Sequence, residues 1–99
     1  MGDETEPAPL DDAAVPKLLR GVRMREDPER GWILLAPERV LALDPSAVAV
    51  LQEVDGAKSF GAIVDALAEK YAAPRALIAV DAGAFLQDLI DKRMIELSP

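Results

Sequence analysis

The chain contains no cysteine and no histidine. The first absence excludes disulfides, thiol nucleophiles and thiolate metal sites. The second removes the side chain most used for acid–base catalysis and for zinc binding. Aromatic residues are sparse, with one Trp, one Tyr and two Phe, so a core has to be assembled from Leu, Ile, Val and Ala. No apolar run approaches the roughly 20 residues of a membrane-spanning helix. The N-terminus is acidic and lacks an apolar centre, unlike a secretory signal. A cytoplasmic protein with no membrane association is therefore expected. Positive charge is also in deficit: 18 Asp and Glu stand against 11 Lys and Arg, a formal net charge of −7. That is the opposite of the basic field on which nucleic-acid affinity rests.

What is present suits one folded domain. Ninety-nine residues with 51% hydrophobic content can bury a real core. The acidic excess is concentrated at the start, where Asp3, Glu4, Glu6, Asp11 and Asp12 all precede the first basic residue, Lys17. Pro7 and Pro9 interrupt the same stretch. Residues 1–15 are expected to form a disordered acidic tail or linker, and 16–97 the folded unit.

The densest apolar stretch, RGWILLAPERVLAL over 30–43, holds the single Trp. It breaks at Ala36-Pro37-Glu38, so it reads as two strands and a tight turn. Ahead of it, Val22 and Met24 alternate with Arg23 and Arg25 within Lys17–Glu26, a period-2 pattern with one apolar and one basic face. Three strands joined by short connections predict an antiparallel meander. Its last strand, Arg39 to Leu43, is apolar on both faces. Either helices cover both sides of it, or its edge is open to a partner.

Three helices follow. Asp44 is a suitable N-cap and Pro45 a suitable first residue, and Ala47, Val50, Leu51 and Val54 repeat with helical spacing up to Asp55-Gly56. Ser59 caps a second helix whose stripe is Phe60, Ile63, Val64, Leu67, Ala68 and Tyr71, all assigned to the core. The third runs from about Pro74 to Lys92 with Ile78, Ala82, Phe85, Leu86 and Leu89 facing inward. Gly83 within it costs about 1 kcal/mol relative to Ala. Met94 to Leu97 is a short apolar end, either a docked tail or a strand. The class is α+β: a three-stranded antiparallel sheet followed by three helices, a winged helix-turn-helix-like arrangement.

The inventory for catalysis is thin. Ser46 and Ser59 are explained as helix caps, Tyr71 as core, and Asp88 and Asp91 as a solvated helix face near Lys92. There is no glycine-rich phosphate loop and no metal-ligand spacing. An acyl-carrier reading fails because Pro45 separates Asp44 from Ser46 and strands precede the helices. A winged-helix DNA-binding regulator is the alternative function. It would turn Asp81, Gln87, Asp88 and Asp91 of the third helix toward phosphates, which repel them.

Residues spread along the chain resemble the PqqD family of pyrroloquinoline quinone biosynthesis. They are Arg20-Gly21-Val22-Arg23, Trp32 through Pro37-Glu38-Arg39, Leu43-Asp44, Asp55-Gly56, Ile63-Val64 with Leu67-Ala68, Tyr71, Phe85-Leu86, Leu89 and Lys92. The resemblance implies a non-enzymatic chaperone without a cofactor. Such a protein binds the ribosomal precursor peptide PqqA and presents it to the radical SAM enzyme PqqE, which crosslinks a Glu and a Tyr of the peptide. It further implies that the peptide adds a strand along Arg39, Val40, Leu41, Ala42 and Leu43, facing Phe85, Leu86, Leu89, Lys92 and Arg93. Lys92 and Arg93 would meet acidic peptide side chains. The chain departs from the family pattern at Ala62, where an acidic residue is common, at Ala82, where a larger apolar residue is common, and at Arg93, where Gly is usual. Family members also occur fused behind another biosynthetic domain, and Met1 to Val15 would serve as the linker. A monomer is expected, with strand exchange between two open edges as the route to a dimer.

Overall fold

The computed structural model describes residues 10–98. Its elements, in order, are β1 (Val15–Leu18), β2 (Arg23–Asp27), β3 (Gly31–Ala36), β4 (Arg39–Ala42), α1 (Pro45–Gln52), α2 (Phe60–Tyr71), α3 (Arg75–Asp91) and β5 (Ile95–Ser98). The expected meander is present as an antiparallel sheet of order β2-β3-β4. Its first hairpin is closed by Asp27, whose carboxylate accepts the Glu29 and Arg30 amides at 2.8 and 3.0 Å. Those two backbone donors hold the Asp27 carboxyl below the ordinary Asp range. The second hairpin turns at Pro37-Glu38.

One feature departs from the sequence expectation, and one open alternative is decided. Lys17–Glu26 is not one strand. Gly21 takes a left-handed conformation, φ 85°, and the Val22 amide bonds back to Leu19 at 2.9 Å, so the chain turns between β1 and β2. Met94–Leu97 resolves as a strand, since β5 pairs antiparallel with β1 in a separate two-stranded sheet, with Val15 opposite Ser98 and Leu18 opposite Ile95. This ribbon ties the two ends of the domain together and buries Pro16 and Ile95.

The expected tail over residues 1–9 lies outside the described residues. Leu10 to Val15 belong to the same expected tail, and here they have fixed structure. The Ala14 and Asp12 carbonyls accept the Phe60 and Gly61 amides at 2.7 and 2.9 Å, two donors that the start of α2 would otherwise leave unpaired. Arg75 ion-pairs with both Asp12 and Asp65. These backbone bonds outweigh the disordering effect of the local acidic composition.

The helices keep the sequence logic. Asp44 caps α1 by accepting the Ala47 amide at 2.8 Å, and Ser59 accepts that of Ala62 at 3.2 Å. Phe60, Ile63 and Val64 of α2, Leu86 and Leu89 of α3, and Leu34 of β3 are fully buried. Met94 and Ile95 close the core from below. The helical spacing in the sequence carries α1 up to Asp55-Gly56. The helix instead ends at Gln52, and Gly56, at φ 81°, serves the next turn, where Asp55 accepts the Ala57 and Lys58 amides. Tyr71 was assigned to the core but is 53% exposed. It is the last residue of α2, and the Ala72–Pro74 turn leads the chain away without covering it.

α2 and α3 end in the same double-bonded cap. Ala73 and Ala72 return amides to Ala68 and Glu69, and Met94 and Arg93 return theirs to Leu89 and Ile90. The residue in the left-handed position is Ala72 in one case, φ 50°, and Arg93 in the other, φ 62°. A Cβ disfavours that conformation and glycine does not. Ala72→Gly and Arg93→Gly are each expected to stabilise the domain by roughly 1 kcal/mol. For a domain of this size that raises the melting temperature by about 4–8 °C, and calorimetry would read it.

Candidate functional site

β4 pairs with β3 on one side, and no described strand pairs with its other side. Antiparallel pairs alternate between bonded and non-bonded residues. The Leu43 amide donates to the Trp32 carbonyl at 3.0 Å. With Leu34 opposite Leu41 and Ala36 opposite Arg39, alternation turns the amides and carbonyls of Arg39, Leu41 and Leu43 toward β3. Those of Val40 and Ala42 therefore point out of the sheet. The open edge offers two donors and two acceptors, spaced as a docking strand requires.

The predicted site residues divide by depth. Arg39, Val40 and Ala42 are exposed, while Leu41 and Leu43 are half-buried and pack on the core. On α3, Phe85 is half-buried. Leu86 and Leu89 have no exposed surface, so they support the groove from beneath and offer nothing to an incoming side chain. Lys92 is held by Asp88, with its Nζ 2.7 Å from both carboxylate oxygens. Arg93 is exposed beyond the helix end.

Strand and helix meet at a depression of about 270 Å³ that Ala42 and Phe85 both line. Its other walls are Asp44, Ser46, Ala47, Val50, Asp81 and Ala82. The sequence reading missed Asp81 as a site residue and took Ala47, Val50 and Ala82 as core alone. The signal was available: Asp81 and Ala82 precede Phe85 by four and three residues and share its side of α3. A wider depression of about 440 Å³ adjoins it and shares Ser46, Val50, Asp81 and Ala82. The arrangement combines an open strand edge with an apolar cleft. Among the described residues no group of three or more metal-ligating side chains accompanies it, nor does any helix long and apolar enough to cross a membrane. It can bind an extended chain.

The family model for coenzyme PQQ synthesis protein D (PqqD) matches residues 31–95, which include β3, β4 and all three helices. The chain is 52% identical over 84 residues to the PqqA binding protein of Rhodopseudomonas palustris (strain BisB5), covering 84% of this chain and 82% of that one. It is 44% identical over 92 residues to the bifunctional coenzyme PQQ synthesis protein C/D of Methylorubrum extorquens, covering 92% of this chain and 25% of the longer protein. The solution NMR structure of the PqqD truncation of Methylobacterium extorquens PqqCD, a functional and stand-alone recognition element for ribosomally synthesized, modified peptides, superposes with a TM-score of 0.72 at 46% identity. The match covers 83% of this chain and 88% of that one. The crystal structure of PqqD from Xanthomonas campestris gives a TM-score of 0.54 at 35% identity over 94% of each chain. The fold, the matched span and the relatives agree: the chain belongs to the PqqD family.

Proposed function

We propose that this protein is a non-catalytic chaperone that binds the precursor peptide PqqA along β4, beside α3, and presents it to the radical SAM enzyme PqqE. The open β4 edge carries this reading, with the Val40 and Ala42 backbone groups turned outward next to an apolar cleft. The relatives named for PqqA binding support the choice of peptide. A chain without Cys or His is suited to binding and poorly equipped for chemistry. The protein acts in the cytoplasm as a monomer, and pairing of two β4 edges is the competing use of the same surface. Arg93, exposed beside the end of α3, meets acidic side chains of the peptide. It contributes more to encounter rate than to affinity.

Titrating isotopically labelled protein with synthetic PqqA tests this. The expected result is one-to-one binding with amide shifts at Arg39 to Leu43 and around Phe85. Shifts confined to β1, β5 and the start of α2 would overturn the assignment. Duplex DNA at moderate salt should cause no shift, because Asp81, Asp88 and Asp91 are all exposed on α3 and repel phosphate.

A further inference from the structure

Tyr71 has no role in the core and none at the β4 edge, yet it is a half-exposed aromatic in a chain that has few. It lines the larger depression with Pro45, Ala49, Leu67 and Ile78. The walls there are almost wholly apolar. The exception in charge is Asp81, which forms no ion pair or side-chain hydrogen bond with another described residue. Leu77, one turn before Asp81, is 55% exposed. An apolar cleft of about 440 Å³ between α1, the end of α2 and α3 is of the size that binding sites use. It also adjoins the depression beside Ala42 and Phe85, sharing four lining residues with it.

We infer that this cleft is a second subsite for the peptide, taking a bulky apolar side chain that flanks the strand-forming segment and carries a Lys or Arg beside it. The inference rests on the proposed binding of PqqA at β4. Two observations select this occupant. The cleft adjoins the β4 depression and shares Ser46, Val50, Asp81 and Ala82 with it as walls, so it lies within reach of a peptide leaving the strand. The charged residues that line the two depressions are carboxylates, Asp44 and Asp81; Lys70, whose Nζ lies 5.7 Å from the Tyr71 ring centroid, lines neither. An acidic flank would be repelled, while a basic one pairs with Asp81. Tyr71 supplies a rigid face against which an apolar side chain packs at low entropic cost. The strand pairing gives backbone affinity independent of sequence, and the cleft gives the choice between peptides.

The test is calorimetric binding of synthetic PqqA to the full chain and to two variants whose sites are exposed, Tyr71→Ala and Asp81→Asn, with circular dichroism as the folding control. Tyr71→Ala is expected to weaken binding about tenfold and Asp81→Asn about threefold, the latter loss shrinking at high salt. An alanine scan of the peptide should find one bulky apolar position whose loss is non-additive with Tyr71→Ala, and an adjacent basic position coupled to Asp81→Asn. Unchanged affinity in both variants, with β4 shifts intact, would overturn the subsite and leave the β4 reading standing. No binding by the unmodified protein would overturn both. Lost self-association without lost peptide affinity, read by sedimentation, would give the cleft to a second copy of the chain and also overturn the inference.

Discussion

Val40→Pro should bind PqqA ten- to a hundredfold more weakly than the unmodified protein while remaining folded. The two halves of this expectation have separate causes. Val40 occupies a non-bonded pair with Leu35, because Leu43 bonds to Trp32 and the pattern alternates. Its N–H contributes nothing to the ladder, and proline on an edge strand is tolerated where its missing donor faces outward. Arg39 before it is already extended within β4, as the residue before proline must be. A docked peptide strand, by contrast, presents a carbonyl to that N–H. Leaving the carbonyl unpaired costs about 1–3 kcal/mol, which is roughly a 5- to 150-fold change in Kd and brackets the expected loss. Val40→Thr keeps the amide and should bind normally, and fluorescence titration of the two variants separates backbone from side-chain effects.

Leu89→Asp should fail to fold. Leu89 lies on the face expected to meet the peptide, but its side chain has no exposed surface. Replacing it with a carboxylate removes a buried isobutyl group and leaves a charge or an unpaired hydroxyl among Phe60, Leu86 and Met94. Even Leu89→Ala is expected to cost about 2–5 kcal/mol, a large part of the roughly 5–15 kcal/mol that holds a domain together. Urea denaturation measures it. Peptide binding lost in Leu89→Asp would then report unfolding. A folded Leu89→Asp that had lost only binding would show that this part of α3 opens to the ligand.

Much of this architecture was legible locally. The α2 stripe is unambiguous because four of its residues, Phe60, Ile63, Val64 and Leu67, repeat at helical spacing, and Asp44 and Ser59 are caps whose chemistry works within three residues. The break at Pro37-Glu38 marks the hairpin equally well. What escaped were features decided at a distance. The β1–β5 ribbon joins the two ends of the domain, and four-residue strands leave too few alternations to show a period. Leu10 to Val15 carry a disorder-prone composition, and distant partners order them: the start of α2 for the Asp12 and Ala14 carbonyls, Arg75 for the Asp12 carboxylate and β5 for Val15. Tyr71 keeps the helical period of its neighbours, but the period does not say where the covering elements stop. For the same reason the reading grouped Phe85, Leu86 and Leu89 as one surface: spacing assigns a face, and depth depends on what packs against it. The open edge of β4 was a choice between two alternatives until the strand order was known.

The proposal that PqqA adds a strand to β4 makes an alternating prediction, so hydrogen exchange of individual β4 amides tests it most directly. Without peptide, Leu41 and Leu43 should already be protected by β3, while Val40 and Ala42 exchange rapidly. With saturating PqqA, Val40 and Ala42 should become protected, and Leu41 and Leu43 should change little. Binding that leaves the Val40 and Ala42 amides exchanging as before would contradict strand addition at this edge.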